Sequence, residues 1–166
     1  MELAEKFDKR RNSLEKVSER YEEIDGEYRQ SMHVWIKNDK GEFLIQKRSQ
    51  SKRVYPGTWS ITGGGVDVGE NTIDTVVREC KEELNIDVDL DNLELIMTIK
   101  RENDFVDIYL LNQSIRLEDI TMQEEEVSDV KWVSIEKCQE MIKKGEFSET
   151  IIFYFDMFIK LLKKCK

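Results

Sequence analysis

The sequence predicts a mixed α/β domain, and three observations carry that expectation. Apolar residues recur at helical spacing from Ile73 to Leu84. Alternating or continuous apolar runs lie on both sides of that segment and read as strands. Two amphipathic segments close the chain. At 166 residues the chain is long enough for one domain with a real core.

The first 26 residues are open to two readings. Leu3, Phe7, Leu14, Val17, Tyr21 and Ile24 fit a helical stripe, yet Asp8 to Ser13 could be a turn between two short strands. Asp25-Gly26 then punctuates the chain. Glu27 to Ile36 alternates and becomes apolar, Asn38-Asp39-Lys40-Gly41 is a turn signal, and Glu42 to Arg48 reads as the returning strand. Ser49 to Arg53 is a polar, basic loop, and Tyr55-Pro56-Gly57 is a turn around the only proline. Thr58 to Thr62 reads as a short strand delivering the chain into a glycine loop, Gly63-Gly64-Gly65.

The helix that follows is the chemical centre of the chain. Asn71 can cap it and Asp74 can answer, much as in a capping box. Asn85 can end it, since Asn tolerates the left-handed conformation. Ile73, Val76, Val77, Cys80 and Leu84 form its apolar stripe. At about 100° per residue, Glu83 lies about 40° to one side of Glu79 and Glu82 about 60° to the other. Like charges so placed repel. Arg78 offsets part of the repulsion, and a bound divalent cation would offset more, because hard cations take carboxylate oxygens together with substrate phosphates. A solvated acidic helix face is the alternative for such a cluster.

Beyond the helix, Asp87 to Asp91 is a polar connection. Leu93–Ile99 and Phe105–Leu111 read as strands around an Arg101–Asp104 turn. Thr121 to Glu126 is an acidic loop and Val127 to Val133 a strand. Ile135 to Lys144 reads as a helix ending at Gly145, and Glu149 to Lys164 as a second one, with Ile151, Ile152, Phe155, Phe158, Ile159 and Leu162 on a face suited to core or dimer contact.

The spacing Gly64-x5-Glu70-x7-Arg78-Glu79-Cys80-x-Glu82-Glu83-x-Asn85-Ile86 resembles the Nudix box, with Cys80 in place of an aliphatic residue and Asn85 in place of the last glycine. Gln46-Lys47-Arg48-Ser49, Lys52 and Tyr55-Pro56-Gly57-Thr58-Trp59 are similar to the branch of Nudix proteins near isopentenyl diphosphate isomerase. The resemblance implies an α/β/α sandwich with a mixed central sheet, in residues 27–166 with the C-terminal helices included. It also tips residues 1–26 towards a hairpin extension packed on that core.

The same resemblance implies a hydrolase that uses Mg²⁺ or Mn²⁺ to cleave the diphosphate linkage of a nucleoside diphosphate joined to another group. Glu79, Glu82 and Glu83 would bind metal with Gly64 and Glu70. Glu125 or Glu126 would reach the metals from the acidic loop. Glu79 or Glu82 would be the general base, and Arg78 would pair with a box carboxylate. Lys47, Arg48, Lys52 and Arg53 form a basic cluster in an acidic chain, and Arg48 and Lys52 are the candidates for phosphate contact. Tyr55, Trp59 and Phe105 are candidates for stacking on a base. His33, the only histidine, reads as a structural residue of the sheet.

Two rivals remain in view. An isomerase of this branch needs a cysteine before the box helix, where Trp59 to Gly64 holds none. A non-catalytic nucleotide sensor would be expected to lose box glutamates, and all are present. The net charge of −9 argues against a general nucleic-acid or anionic-membrane binder. Cys80, Cys138 and Cys165 have no metal or disulfide spacing and read as reduced thiols. No signal-peptide or membrane-spanning stretch is evident, so the expectation is a cytoplasmic monomer or homodimer acting on a small diphosphate.

Overall fold

The computed structural model describes residues 2–164, so Cys165 lies outside the described residues. The chain opens with β1 (Leu3–Phe7) and β2 (Ser13–Glu19), which pair antiparallel as a separate two-stranded sheet. The turn reading therefore holds over the helical stripe. Arg11 takes a left-handed conformation (φ 67°) in the turn, and the Asp8 carboxylate accepts from the Arg10 and Asn12 amides. Phe7 and Tyr28 exchange backbone hydrogen bonds of 2.7 and 2.9 Å, which seats the hairpin beside the main sheet.

That sheet contains β3 (Arg29–Lys37), β4 (Phe43–Arg48), β5 (Trp59–Ser60), β6 (Thr62–Gly65), β7 (Leu93–Lys100), β8 (Asp104–Asn112) and β9 (Val127–Val133). Its main path runs β5-β4-β3-β8-β7, with β6 on β3 and β9 on β4. β3 and β8 are parallel and the other pairs antiparallel, so the sheet is mixed. Helix α1 (Thr72–Leu84) covers one face, and α2 (Ile135–Lys143), α3 (Glu149–Ile152) and α4 (Phe155–Lys164) cover the other.

The period-2 alternation of β3 builds both cores of this α/β/α sandwich. Met32, Val34 and Ile36 pack with Val76, Cys80 and Leu84 of α1. Trp35 packs with Phe43, Cys138, Met141, Phe155 and Phe158 on the opposite side. The stacked Trp35–Phe158 pair (ring centroids 5.1 Å) and the Trp35–Phe43 edge contact (5.0 Å) anchor that second core.

Two local expectations change. The glycines 63–65 are strand rather than loop: Gly63, Gly64 and Gly65 stand opposite His33, Met32 and Ser31 in the ladder between β6 and β3. The loop proper follows, from Val66 to Glu70. The last helix is also broken. Phe153 and Tyr154 interrupt it, and at the break the buried Tyr154 hydroxyl meets Trp35 Nε1 (3.2 Å) and His33 Nδ1 (3.0 Å). No glycine or proline marks that break. Ile151, Phe155, Phe158 and Ile159 lie in the core, whereas Ile152 is exposed. Among the described residues, no helix is long and apolar enough to cross a membrane.

Candidate active site

Helix α1 is aimed by its caps. The Asn71 side chain accepts from the Ile73 and Asp74 amides (2.8 and 3.1 Å), and the Asp74 carboxylate accepts from the Asn71 amide (3.1 Å), so the capping box is complete. At the other end Asn85 is left-handed (φ 55°), in the role of the box glycine. Cys80 is fully buried against the sheet, as a small hydrophobe in place of an aliphatic residue.

With its apolar stripe buried, α1 presents Glu79, Glu82 and Glu83 to a cleft of about 410 Å³. Gly63, Gly64, Gly65, Arg48, Lys52 and Glu126 also line it. The absence of a side chain at Gly64 makes this possible: a Cβ there would collide with the Glu79 carboxylate.

Arg78 organises the carboxylates. Its guanidinium donates to Glu70 (2.9 and 3.2 Å), Glu79 (2.8 Å), Glu82 (3.3 Å) and the Gly65 carbonyl (3.2 Å). Burial alone would lower its pKa, but Glu70 and Glu79 outweigh burial and raise it. Burial pushes Glu70 up, yet the hydrogen bonds from Arg78 and Thr75 leave it below the usual carboxylate range. Glu79 is shifted upward, by burial first and despite Arg78. Glu83 is only 6% exposed, and burial pushes it up to about 8 against the hydrogen bond it accepts from Gln46 Nε2 (2.8 Å). Thr62 Oγ1 in turn donates to Gln46 Oε1 (3.0 Å), which fixes the amide's orientation.

The acidic loop sends one glutamate to the cleft. Glu126 lines it and pairs with Lys52; Glu125 is exposed and turned to the neighbouring cavity. Glu70 does not line the cleft, because Arg78 and Thr75 engage its carboxylate. Of the carboxylates expected from the sequence, the cleft thus gathers Glu79, Glu82, Glu83 and Glu126, while Glu70 and Glu125 lie outside its lining.

Arg48 and Lys52 line the same cleft as the α1 carboxylates. Tyr55 does not reach the cleft. It lines a smaller pocket beside His33 and donates to Glu149 (3.2 Å). Trp59 is turned away: it packs against the core carrying Trp35, with Lys131 Nζ 3.9 Å from its ring. Phe105 is buried against Tyr28, ring centroids 5.2 Å apart. The β-strand alternation that places Lys47 and Trp59 side by side directs both away from the carboxylates. His33 sits on β3 outside the cleft, with its pKa pulled down to about 3 by burial first and by Arg101.

Three contributors had no local sequence signal. Gln46 was visible only as part of a motif. Arg20 and Tyr21 come from the hairpin's exit and line the cleft, with Arg20 paired to Asp67.

The donor set suits a hard divalent cation: carboxylates that repel one another, a close backbone approach, and cations spaced for phosphate. Arg78 presently draws Glu79 and Glu82 to itself, and among the described residues no three carboxylate, thiol or imidazole groups converge tightly enough to enclose an ion. Among the described residues no cysteine lines this cleft; Cys80 and Cys138 are buried in the two cores.

The NUDIX domain family matches residues 27–153. An uncharacterized Nudix hydrolase of Listeria innocua is 37% identical over 123 residues, which cover 74% of this chain and 73% of that one. An isopentenyl-diphosphate Delta-isomerase of Shigella flexneri is 36% identical over 55 residues, 32% of this chain and 30% of the isomerase. The fold is similar to the crystal structure of DR0079 from Deinococcus radiodurans, with a TM-score of 0.78 at 19% identity over 96% of this chain and 99% of that one. The box, its helix and these similarities lead to one conclusion: the chain is a member of the Nudix family of hydrolases.

Proposed function

We propose that this protein is a Mg²⁺- or Mn²⁺-dependent hydrolase of the diphosphate linkage in a nucleoside diphosphate joined to a second group. The observation that carries the reading is a single cleft lined by Glu79, Glu82 and Glu83 together with Arg48, Lys52 and Glu126. Glu79, Glu82, Glu83 and Glu126, with the Gly64 backbone, are the residues that would hold the ion. A bound ion would orient the diphosphate, neutralise its developing charge and lower the pKa of the attacking water.

The chain's own residues supply the rest. Glu79 is the favoured general base, taking the water's proton on a carboxylate oxygen, because burial shifts it upward in the direction a base requires. Arg78 holds Glu79 and Glu82 in register on the cleft side of α1. Arg48 and Lys52 donate to phosphate oxygens, where charge-assisted hydrogen bonds are strong. Gln46 keeps the Glu83 carboxylate pointed into the cleft.

The test is product identification across a panel of diphosphate compounds, with and without Mg²⁺. A nucleoside monophosphate and a phosphorylated second product, formed only with the ion, support the reading. Rearranged isopentenyl diphosphate would replace it with isomerisation, and tight binding without turnover would replace it with sensing. The partial likeness to the isomerase does not favour that rival, since its cysteine has no counterpart between Trp59 and Gly64.

A further inference from the structure

The carboxylate cleft adjoins a second cavity of about 570 Å³, and Tyr21, Arg48, Lys52 and Glu126 belong to the walls of both. Small-ligand sites span roughly 300–1,000 Å³, so this space is large enough for a nucleoside. Its character differs from the cleft's. It adds Val54, 55% exposed, to Tyr21, 72% exposed. A single exposed apolar side chain is ordinary, but two in the wall of one cavity beside a phosphate-binding edge form a surface that gains by being covered.

Tyr21 is held in place. The Arg20 amide donates to the Glu2 carbonyl (2.8 Å), and the Arg20 guanidinium pairs with Glu2 (3.0 Å) and with Asp67 of the loop before α1. A Cβ on Gly65 would press on that guanidinium at about 3.0 Å, so the hairpin's exit lies tight against a strand that lines the cleft. Arg29 lies over the Tyr21 ring at 5.7 Å and leaves most of the ring open. The hairpin thus delivers a pre-positioned aromatic surface next to Arg48 and Lys52.

We infer that Tyr21 is a specificity-determining residue: its ring stacks on the base of a nucleotide whose phosphates lie at Arg48 and Lys52, with Val54 completing the apolar wall. The placement of the phosphates rests on the function proposed above. The candidates for stacking offered by the sequence were Tyr55, Trp59 and Phe105, none of which lines this cavity.

The test is calorimetric titration of the metal-free full chain with AMP and with ribose 5-phosphate, which share the phosphate and differ in the base. The parent should prefer AMP by about tenfold, the scale of one base–aromatic stack. Tyr21→Ala should abolish the preference and leave ribose 5-phosphate binding unchanged, whereas Tyr21→Phe keeps it. Val54→Asp, at the other exposed apolar residue of the cavity, should weaken AMP binding with an unchanged melting temperature. With ADP-ribose and Mg²⁺, Tyr21→Ala should raise KM with kcat held within about twofold. Equal binding of the two ligands by the parent, or a parallel loss of both in Tyr21→Ala, overturns the inference. A preference for AMP without turnover of any diphosphate leaves the base site standing and removes the hydrolase reading. Turnover without preference for a base does the reverse.

Discussion

Glu83 carries most of the electrostatic tension at the residue scale. It is buried beside Glu79 and shares the cleft with Glu126, with one neutral amide as its hydrogen-bond partner. Glu83→Gln keeps the shape and removes the charge. Without Mg²⁺, and as pH rises through about 8 where the buried carboxyl ionises, its stability should equal or slightly exceed the parent's, because a desolvated carboxylate and its repulsion with Glu79 are gone. With Mg²⁺ the parent should gain stability, since the ion binds the folded form, and the variant should gain much less. Turnover should fall by at least about a hundredfold, the scale of losing one transition-state contact. Thermal melts with and without the ion, beside a hydrolysis assay, check all three. Retention of both ion-dependent stabilisation and turnover would leave the stripe a plain acidic face. Cys80 is the control: it is buried in apolar surroundings, with burial pushing its thiol up, so Cys80→Ala should cost about 1 kcal/mol of stability and leave most activity intact.

At the scale of the element, the two ends of α1 make separable contributions. Asn71→Ala removes an acceptor for two amides and should cost about 1 kcal/mol. In a domain of this size that lowers the melting temperature by about 2–4 °C. Asn85→Gly restores the residue usual at that position of the box and suits φ 55°, so its melting temperature should match or exceed the parent's. Asn85→Val, with a branched Cβ in the left-handed region, should lower it by several degrees. A Val variant as stable as the Gly variant would show that the backbone leaves this conformation without cost.

Across the whole molecule, two buried aspartates on β8 tie the hairpin and the turn before β8 to the sheet. Burial pushes Asp107 up, but bonds from Arg11 (2.9 and 2.5 Å), Thr98 (2.6 Å) and Thr72 (2.8 Å) leave it below the usual range. Asp104 is likewise raised by burial and more than lowered by Arg101 (2.7 and 2.5 Å). A depressed folded-state pKa gives stability that is complete above the unfolded value, about 3.9, and is lost as pH falls through the folded one. Stability should therefore drop steeply below about pH 4, and Asp107→Asn should be less stable at pH 7 with a shallower acid slope. Denaturant melts from pH 7 to pH 2 measure both. An unchanged slope in Asp107→Asn would assign the acid sensitivity elsewhere.

The legible parts of this protein were those whose physics is local. Helical period, caps and the Glu-x-x-Glu-Glu spacing lie within one segment, so α1, its buried stripe and its carboxylate side follow from the order of residues alone. The apolar run of Met32, Val34, Trp35 and Ile36 likewise read as a strand, and the fold buries it on both faces. What the residue order left open depends on contacts between distant segments. A helical stripe and a two-stranded turn were both compatible with residues 1–26, and only pairing with Tyr28 and the Arg11–Asp107 contact selected the hairpin. Which of Glu125 and Glu126 lines the cleft depends on the fold of the acidic loop, where Lys52 meets Glu126. The break at Phe153–Tyr154 was hidden because no glycine or proline marks it, and the Tyr154 hydroxyl found there meets Trp35 across the core. Tyr21 reaches the cleft, and Trp59 does not, because the side of the sheet a ring faces is set by strand register and hairpin packing. Those are tertiary quantities, with no counterpart in local composition.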